Sequence, residues 1–356
     1  MKQKLVSAAL LVATVIFSLV ALEVGLRAYT GQWNYVNLRT PPNPNSVFFG
    51  GPVDFDAELG WVPKEHAQVK VFGPWRTTVT MLEHGIRSNG SAEVRDATKP
   101  ILAVGDSFTF GDDVSDWETW PAQLEKLSGR RVINGGVFAY GIDQAFLRAR
   151  RLLGRYRFST VIFSFIPDDI RRCQMSVAWG APKPYFRFED KGLALENVPV
   201  PPPSKKGGLL IALEHSQVVH SVMKRLFPAW WLGGSIQVQD EEKGVEVACA
   251  VLHELERLTT SRGAQLIVLV QYDDAEISLP SAAVEGNVKG VLNCLSDPAT
   301  RVLDLKPALS EMKARDLSTY NGLFRKPGLW THMTAEGNRF VSLEILKVLT
   351  PWINAG

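Results

Sequence analysis

Only three cysteines occur in 356 residues, Cys173, Cys249 and Cys294. They are too few and too scattered for a disulfide scaffold or a zinc ribbon, and at most one disulfide could form, with one thiol left over. An excess of charge of either sign is also missing. The 39 Lys and Arg residues nearly balance 37 Asp and Glu, leaving a formal net charge of +2. That balance gives no electrostatic basis for nucleic-acid binding. Histidine is scarce, with six residues, and no His-Glu-x-x-His, phosphate-loop or dinucleotide-binding glycine pattern occurs. His215 and His220 lie five apart on one expected helix, off a common face. The reading therefore expects no metal and no cofactor. Internal repeats are absent too. What is present is a 46% apolar chain, enough for a full core and incompatible with a disordered protein.

One long apolar run stands out. Lys2 and Lys4 precede an uncharged stretch from Leu5 to Leu22, which as a helix would span roughly 27 Å, close to the hydrocarbon thickness of a bilayer. It continues into Glu23-Val24-Gly25-Leu26-Arg27 with no Ala-x-Ala cleavage signature. An uncleaved membrane anchor is expected, over a signal peptide or a buried core helix. The flanking lysines would hold the N-terminus in the cytoplasm and send the remainder outward. A single-pass inner-membrane protein with a periplasmic, extracytoplasmic globular part follows as the expectation.

Residues 29 to about 98 are rich in turn formers, such as Pro41-Pro42-Asn43-Pro44-Asn45, and read as a linker plus a small extension packed on the main domain. From Pro100 the pattern becomes apolar strands alternating with amphipathic helices, the mark of an α/β sheet. Strands are expected at 101–104, 131–133, 160–165, 265–271 and 301–303, and helices at about 117–127, 143–153 and 335–349. Short βα connections imply parallel pairing with helices on both faces. Between the third and fourth strands lies a long excursion. It holds an expected hairpin around Asp190-Lys191-Gly192, a proline-rich connector at 198–203 and a helix at 209–227. Trp230-Trp231 follows, read as buried packing rather than a membrane or glycan contact.

The chemistry-bearing stretch is Gly105-Asp106-Ser107, directly after the first strand. A serine at the C-terminal end of a parallel strand sits where α/β sheets build their sites. The free N–H groups of the turn that follows can stabilise an oxyanion. Three further blocks follow in order: Val132-Ile133-Asn134-Gly135-Gly136-Val137, then Ile166-Pro167-Asp168-Asp169, then His332-Met333-Thr334-Ala335-Glu336-Gly337-Asn338. A serine hydroxyl needs an adjacent base to act as a nucleophile, and histidine suits that role near neutral pH. As single residues, Ser107 would be a helix cap and His332 a capping or surface residue. Together they read as nucleophile and base.

These four blocks resemble those of the SGNH, or GDSL-type, hydrolases, from about Pro100 to the C-terminus. The resemblance implies a three-layer α/β/α, flavodoxin-like domain with a parallel sheet. It would occupy 99–356 with an insertion at about 175–245, behind an anchor at 1–28 and an extension at 29–98. It implies Ser107 as nucleophile, His332 as general base, and the backbone N–H groups of Ser107 and Gly136 as oxyanion donors. Two positions depart from the family pattern. Asp168 stands where the family has an asparagine that donates to the oxyanion, and an ionised carboxylate has no donor. Leu329 and Trp330 stand where the family has the aspartate that orients the histidine. Asp273-Asp274 is a remote alternative acid, though a turn or surface pair fits it better. The activity implied is an esterase or O-acyltransferase acting through an acyl-enzyme on a small ester or an acylated glycan, within an envelope polysaccharide system. The competing expectation is a catalytically silent glycan-binding or assembly subunit.

Overall fold

The alternation of apolar strands and helices after residue 95 folds into a five-stranded parallel sheet in a computed structural model. It describes residues 2–29, 53–72, 76–90, 94–178, 180–189, 192–202, 215–227, 236–239, 243–326 and 331–353, with the single positions 209, 213 and 231. The strands are β1 (Asp96–Val104), β2 (Arg130–Asn134), β3 (Thr160–Phe165), β4 (Gln265–Val270) and β5 (Arg301–Asp304). Their order across the sheet is 2-1-3-4-5, the flavodoxin-like order, whose winding reverses between β1 and β3. β1 begins earlier than expected, but its pairing with β2 shifts register between Asp96 and Ile101. Pro100, lacking an N–H, falls within that break.

Every residue of β3 is buried, as are five of six in β4. That burial follows from helices on both faces. The short turn α1 (Ser107–Phe110) follows β1. Right-handed crossovers then send α2 (Trp120–Ser128) and α3 (Ile142–Arg155) to opposite sides of the sheet. After β3 come α4 (Pro167–Arg172) and α5 (Gly244–Ser261), and after β5 comes α6 (Ala335–Ile353). α3 packs with α5 on one face and α2 with α6 on the other, completing three layers.

The residues before β1 form two hairpins, Val53–Asp56 with Gly60–Pro63 and Gln68–Phe72 with Thr77–Thr80. Buried Trp61 donates from Nε1 to the Phe138 carbonyl at 3.1 Å, and Tyr140 Oη donates to the Trp61 carbonyl at 2.5 Å. The excursion after β3 contains the expected hairpin, Tyr185–Glu189 with Gly192–Glu196, whose turn residues 190 and 191 lie outside the described residues. Its helix runs over Gln217–Leu226 and starts later than expected, because Ser216 is an extended N-cap whose side chain accepts from the Val219 N–H; residues 210–212 and 214 lie outside the described residues. Trp231 is 4% exposed and donates to His220 Nδ1 at 3.0 Å, as buried packing requires, while Trp230 lies outside the described residues. Cys249 and Cys294 form a disulfide joining α5 to the end of the helix Ala282–Asn293, and Cys173 is buried and free. At the N-terminus, Lys2–Tyr29 is one helix whose segment Ala9–Tyr29 is long and apolar enough to cross a membrane.

Candidate active site

β1 ends against β3 at Gly105. A Cβ there would lie 2.5 Å from both the Ser164 carbonyl and Thr109 Oγ1, so only glycine allows this close approach. Asp106 then caps α1, its Oδ1 accepting from the Phe108 N–H at 3.0 Å. Ser107 becomes the first residue of that turn, 8% exposed at the β1–β3 switch point. Gly111 closes the turn and the chain enters a loop carrying Asp112 and Asp113.

His332 precedes α6 and is held by a short extended pairing, with the Arg325 N–H on its carbonyl at 3.1 Å and the Thr334 N–H on the Leu323 carbonyl at 2.8 Å. Its Nε2 lies 3.0 Å from Ser107 Oγ, and its Nδ1 lies 3.0 Å from Asp113 Oδ2. A carboxylate can only accept, so Nδ1 carries the proton and Nε2 presents its lone pair to the hydroxyl. Ser107 and His332 are therefore brought together from the two ends of the domain, with Asp113 as a third member.

Sequence reasoning looked for the orienting acid just before His332, at positions 329 and 330, which lie outside the described residues. The acid comes instead from the serine's own loop. Asp113 adopts φ of 69°, a left-handed conformation that aspartate tolerates better than most side chains. Two arginines hold this loop. Buried Arg87, from the N-terminal extension, donates to the carbonyls of Phe110, Gly111 and Val114 and to Asp116 Oδ1. Arg325 donates to the Asp113 carbonyl. The only sequence signal for this acid was the Asp-Asp doublet after Gly111. Asp273 is a capping residue: its Oδ1 accepts from the Glu276 N–H at 2.8 Å, while Asp274 accepts from Tyr320 Oη.

Burial alone would lower the His332 pKa. The Asp113 hydrogen bond and the charges of Asp112, Asp113 and Asp106 outweigh it, and the imidazole is raised above its ordinary value. Burial pushes the Asp112 carboxyl up to about 6. Its Oδ2 lies 4.0 Å from His332 Nε2, on the Ser107 side of the ring.

Asp168, expected near the oxyanion, faces cations instead. Its oxygens accept from Arg171 Nε and Arg172 Nε, each at 2.8 Å. Burial opposes ionisation, but Arg172 and Arg171 hold the carboxyl below its ordinary range. Arg172 also donates to Asp169 Oδ1 at 2.7 Å and approaches Asp106 Oδ2 at 3.8 Å. Asp168→Asn should accordingly give no gain in kcat and should lower stability by about 1–3 kcal/mol, the cost of weakening hydrogen bonds to a charged group. Thermal unfolding beside ester turnover checks this. A higher kcat with unchanged Tm would restore the view of Asp168 as a degraded oxyanion donor.

Gly136 does not present a free amide either. Its N–H donates to Asn134 Oδ1 at 3.1 Å, and a Cβ there would lie 2.4 Å from the Phe110 nitrogen. This glycine is required by close backbone packing. Three residues on, Ala139 takes a left-handed φ of 65°, and its N–H has no acceptor among the described residues. The Val137 N–H on the Gly105 carbonyl and the Tyr140 carbonyl on Arg172 run this segment beside Asp106.

Ser107, Phe108, Asp112, Gln271 and His332 line a narrow crevice. A larger cleft of about 820 Å³ lies along the same sheet edge, walled by Asp168, Gln174, Glu276, Lys289 and Lys306, and includes neither Ser107 nor His332.

No protein-family model and no curated protein matches the chain. Solved structures do resemble it. A lipolytic G-D-S-L family protein from Veillonella parvula is 13% identical, covering 71% of this chain and 99% of its own, with a TM-score of 0.41. The esterase EstA from Pseudoalteromonas sp. is 12% identical over 72% of this chain and 99% of its own, at 0.40. A catalytic mutant of the acetylxylan esterase Axe2 from Geobacillus stearothermophilus is 11% identical over 71% and 94%, at 0.41. The functional reading accordingly rests on the geometry of Ser107, His332 and Asp113.

Proposed function

We propose that this protein is a membrane-tethered SGNH-type serine enzyme that cleaves or transfers acyl esters through an acyl-enzyme. The observation that carries the reading is the hydrogen-bonded line from Ser107 Oγ through His332 to Asp113. Ser107 Oγ attacks the acyl carbonyl as His332 Nε2 takes its proton, and Asp113 stabilises the imidazolium that results. The Ser107 N–H, at the start of α1, is assigned as a donor to the tetrahedral oxyanion. Collapse expels the alcohol, which takes the proton from His332. Water or a sugar hydroxyl, deprotonated by His332, then releases the acyl group.

The narrow crevice at Ser107 suits a small acyl group such as acetyl. The 820 Å³ cleft beyond Asp168, with its carboxyl, amide and ammonium groups, suits the polyhydroxylated part of an acylated glycan. Residues 1–28 would anchor the chain, 29–98 would join it to the catalytic domain at 99–356, and 175–245 would form the insertion. The Cys249–Cys294 disulfide fits an oxidising compartment outside the cytoplasm, as the flanking Lys2 and Lys4 also suggest. Envelope polysaccharide would be the setting.

One observation favours a second reading, the catalytically silent glycan-binding or assembly subunit: an ionised Asp168 stands where a hydrogen-bond donor is expected. A fluorophosphonate probe on the full-length protein separates the two. The enzyme reading expects one adduct per chain, mapped by mass spectrometry to Ser107, together with turnover of a short-chain aryl acetate. A folded protein with neither adduct nor turnover would be the silent subunit.

A further inference from the structure

We propose that the inserted helix Gln217–Leu226 lies in the membrane–water interface as a second membrane contact beside the N-terminal helix. This rests on the anchor reading above. The first observation is the junction between the two helices. The uncharged run ends at Glu23, whose carboxylate accepts from the Gln217 N–H at 2.9 Å, the Val218 N–H at 3.0 Å and Ser216 Oγ at 2.8 Å. Ser216 Oγ in turn accepts from the Val219 N–H at 3.2 Å. Three otherwise open amides of the first turn are thus capped, two of them by a side chain nearly 200 residues away in sequence. The anion also complements the positive end of the helix dipole. Arg27 closes the junction, donating to Glu23 at 2.7 Å and to the His215 carbonyl at 2.6 Å.

This junction fixes a height. A charged pair directly after an apolar span belongs at the headgroup level, so the inserted helix starts at that level as well. The second observation is the helix surface. Val222 and Leu226 are 46% and 62% exposed, and a spacing of four residues puts them on one face; Phe227, which ends the helix, is 55% exposed. Leu213, before the helix, is 41% exposed. Lys224 and Arg225 are exposed alongside. In water this apolar stripe would be unfavourable. In the interface its side chains reach the acyl boundary while the two cations meet anionic headgroups. Two contacts instead of one would hold the domain at a set height and tilt over the bilayer.

The test uses the full chain in mixed phosphatidylcholine and phosphatidylglycerol vesicles. An environment-sensitive fluorophore is placed at Leu226→Cys or, as a reference, at exposed Leu317→Cys, with nitroxide-bearing lipids as quenchers. The proposal expects quenching at 226 at least about threefold that at 317, weakened by Glu23→Gln or by omitting the anionic lipid. Circular dichroism of each variant, matched to the parent protein, confirms that the domain has folded. Equal quenching at both positions, in protein that stays with the vesicles through a carbonate wash, overturns the proposal and leaves the anchor standing. Release by that wash overturns the anchor reading, and this proposal with it. A label at 226 that escapes lipid but cross-links to a second copy assigns the stripe to self-association and also overturns it.

Discussion

Ser107→Ala should lower kcat on a short-chain ester about 10⁶-fold, Asp113→Asn about 10³- to 10⁴-fold, and the double variant no further than Ser107→Ala alone. The three side chains act as one unit, so once the attacking oxygen is gone, the orienting acid has nothing left to assist. Asparagine suits the test because it also tolerates the left-handed backbone at 113, leaving the loop intact while the charge disappears. The pH profile adds a readout that misfolding would not imitate. His332 must be neutral to take the Ser107 proton, so kcat/KM should fall as pH drops through a value above the ordinary imidazole pKa of 6.5. Asp113→Asn removes a hydrogen bond and a charge that favour imidazolium, so its acid limb should move to lower pH. Asp112, at about 6 and 4.0 Å from the ring, titrates in the same range, and the limb belongs to the pair. If Asp113→Asn kept wild-type kcat with an unmoved limb, Asp113 would have no part in the mechanism.

What the sequence disclosed and what it hid follow from distance along the chain. β4 was legible because the apolar run Leu266–Val270, short and rich in β-branched residues, reads as a strand covered on both faces, and β3 differs from it only by Thr160 and Ser164. Ser107 was legible because the end of β1 and the first turn after it are contiguous in sequence, and His332 because it opens a block before a long helix. Asp113 was not, because its side chain is aimed by a loop whose shape depends on Arg87 in the N-terminal extension. For Asp168 the motif position did not disclose where the carboxylate points; Arg172, one helical turn on, holds it. Gly136 carries two readings in sequence for a related reason. Glycine in a motif advertises a missing Cβ, and here the missing Cβ serves the Phe110 backbone rather than an open amide.

The dependence of the site on Arg87 carries the second large effect. Arg87→Met should destabilise the domain by about 3–5 kcal/mol, the range for removing one partner of a buried ion pair. Its guanidinium is fully buried, stacked 4.8 Å from the Phe110 ring centroid, and it bonds the Asp116 carboxylate and three carbonyls at once. Methionine fills the volume but leaves each of those acceptors without its donor. Arg87→Lys, one compact cation in place of a planar fork, should recover part of the loss by neutralising Asp116 while missing most of the carbonyls. The decisive measurement is kcat on protein that is still folded, well below the lowered Tm. If Arg87 acts through the loop, the folded fraction of Arg87→Met should lose kcat and shift its acid limb downward, as Asp113→Asn does. The reason is shared: with the 110–116 loop released, His332 loses the acceptor that fixes its tautomer. A variant with a lowered Tm but wild-type kcat and pH limb would confine Arg87 to holding the extension against the sheet. The orienting of His332 would then belong to Asp113 and Arg325 alone.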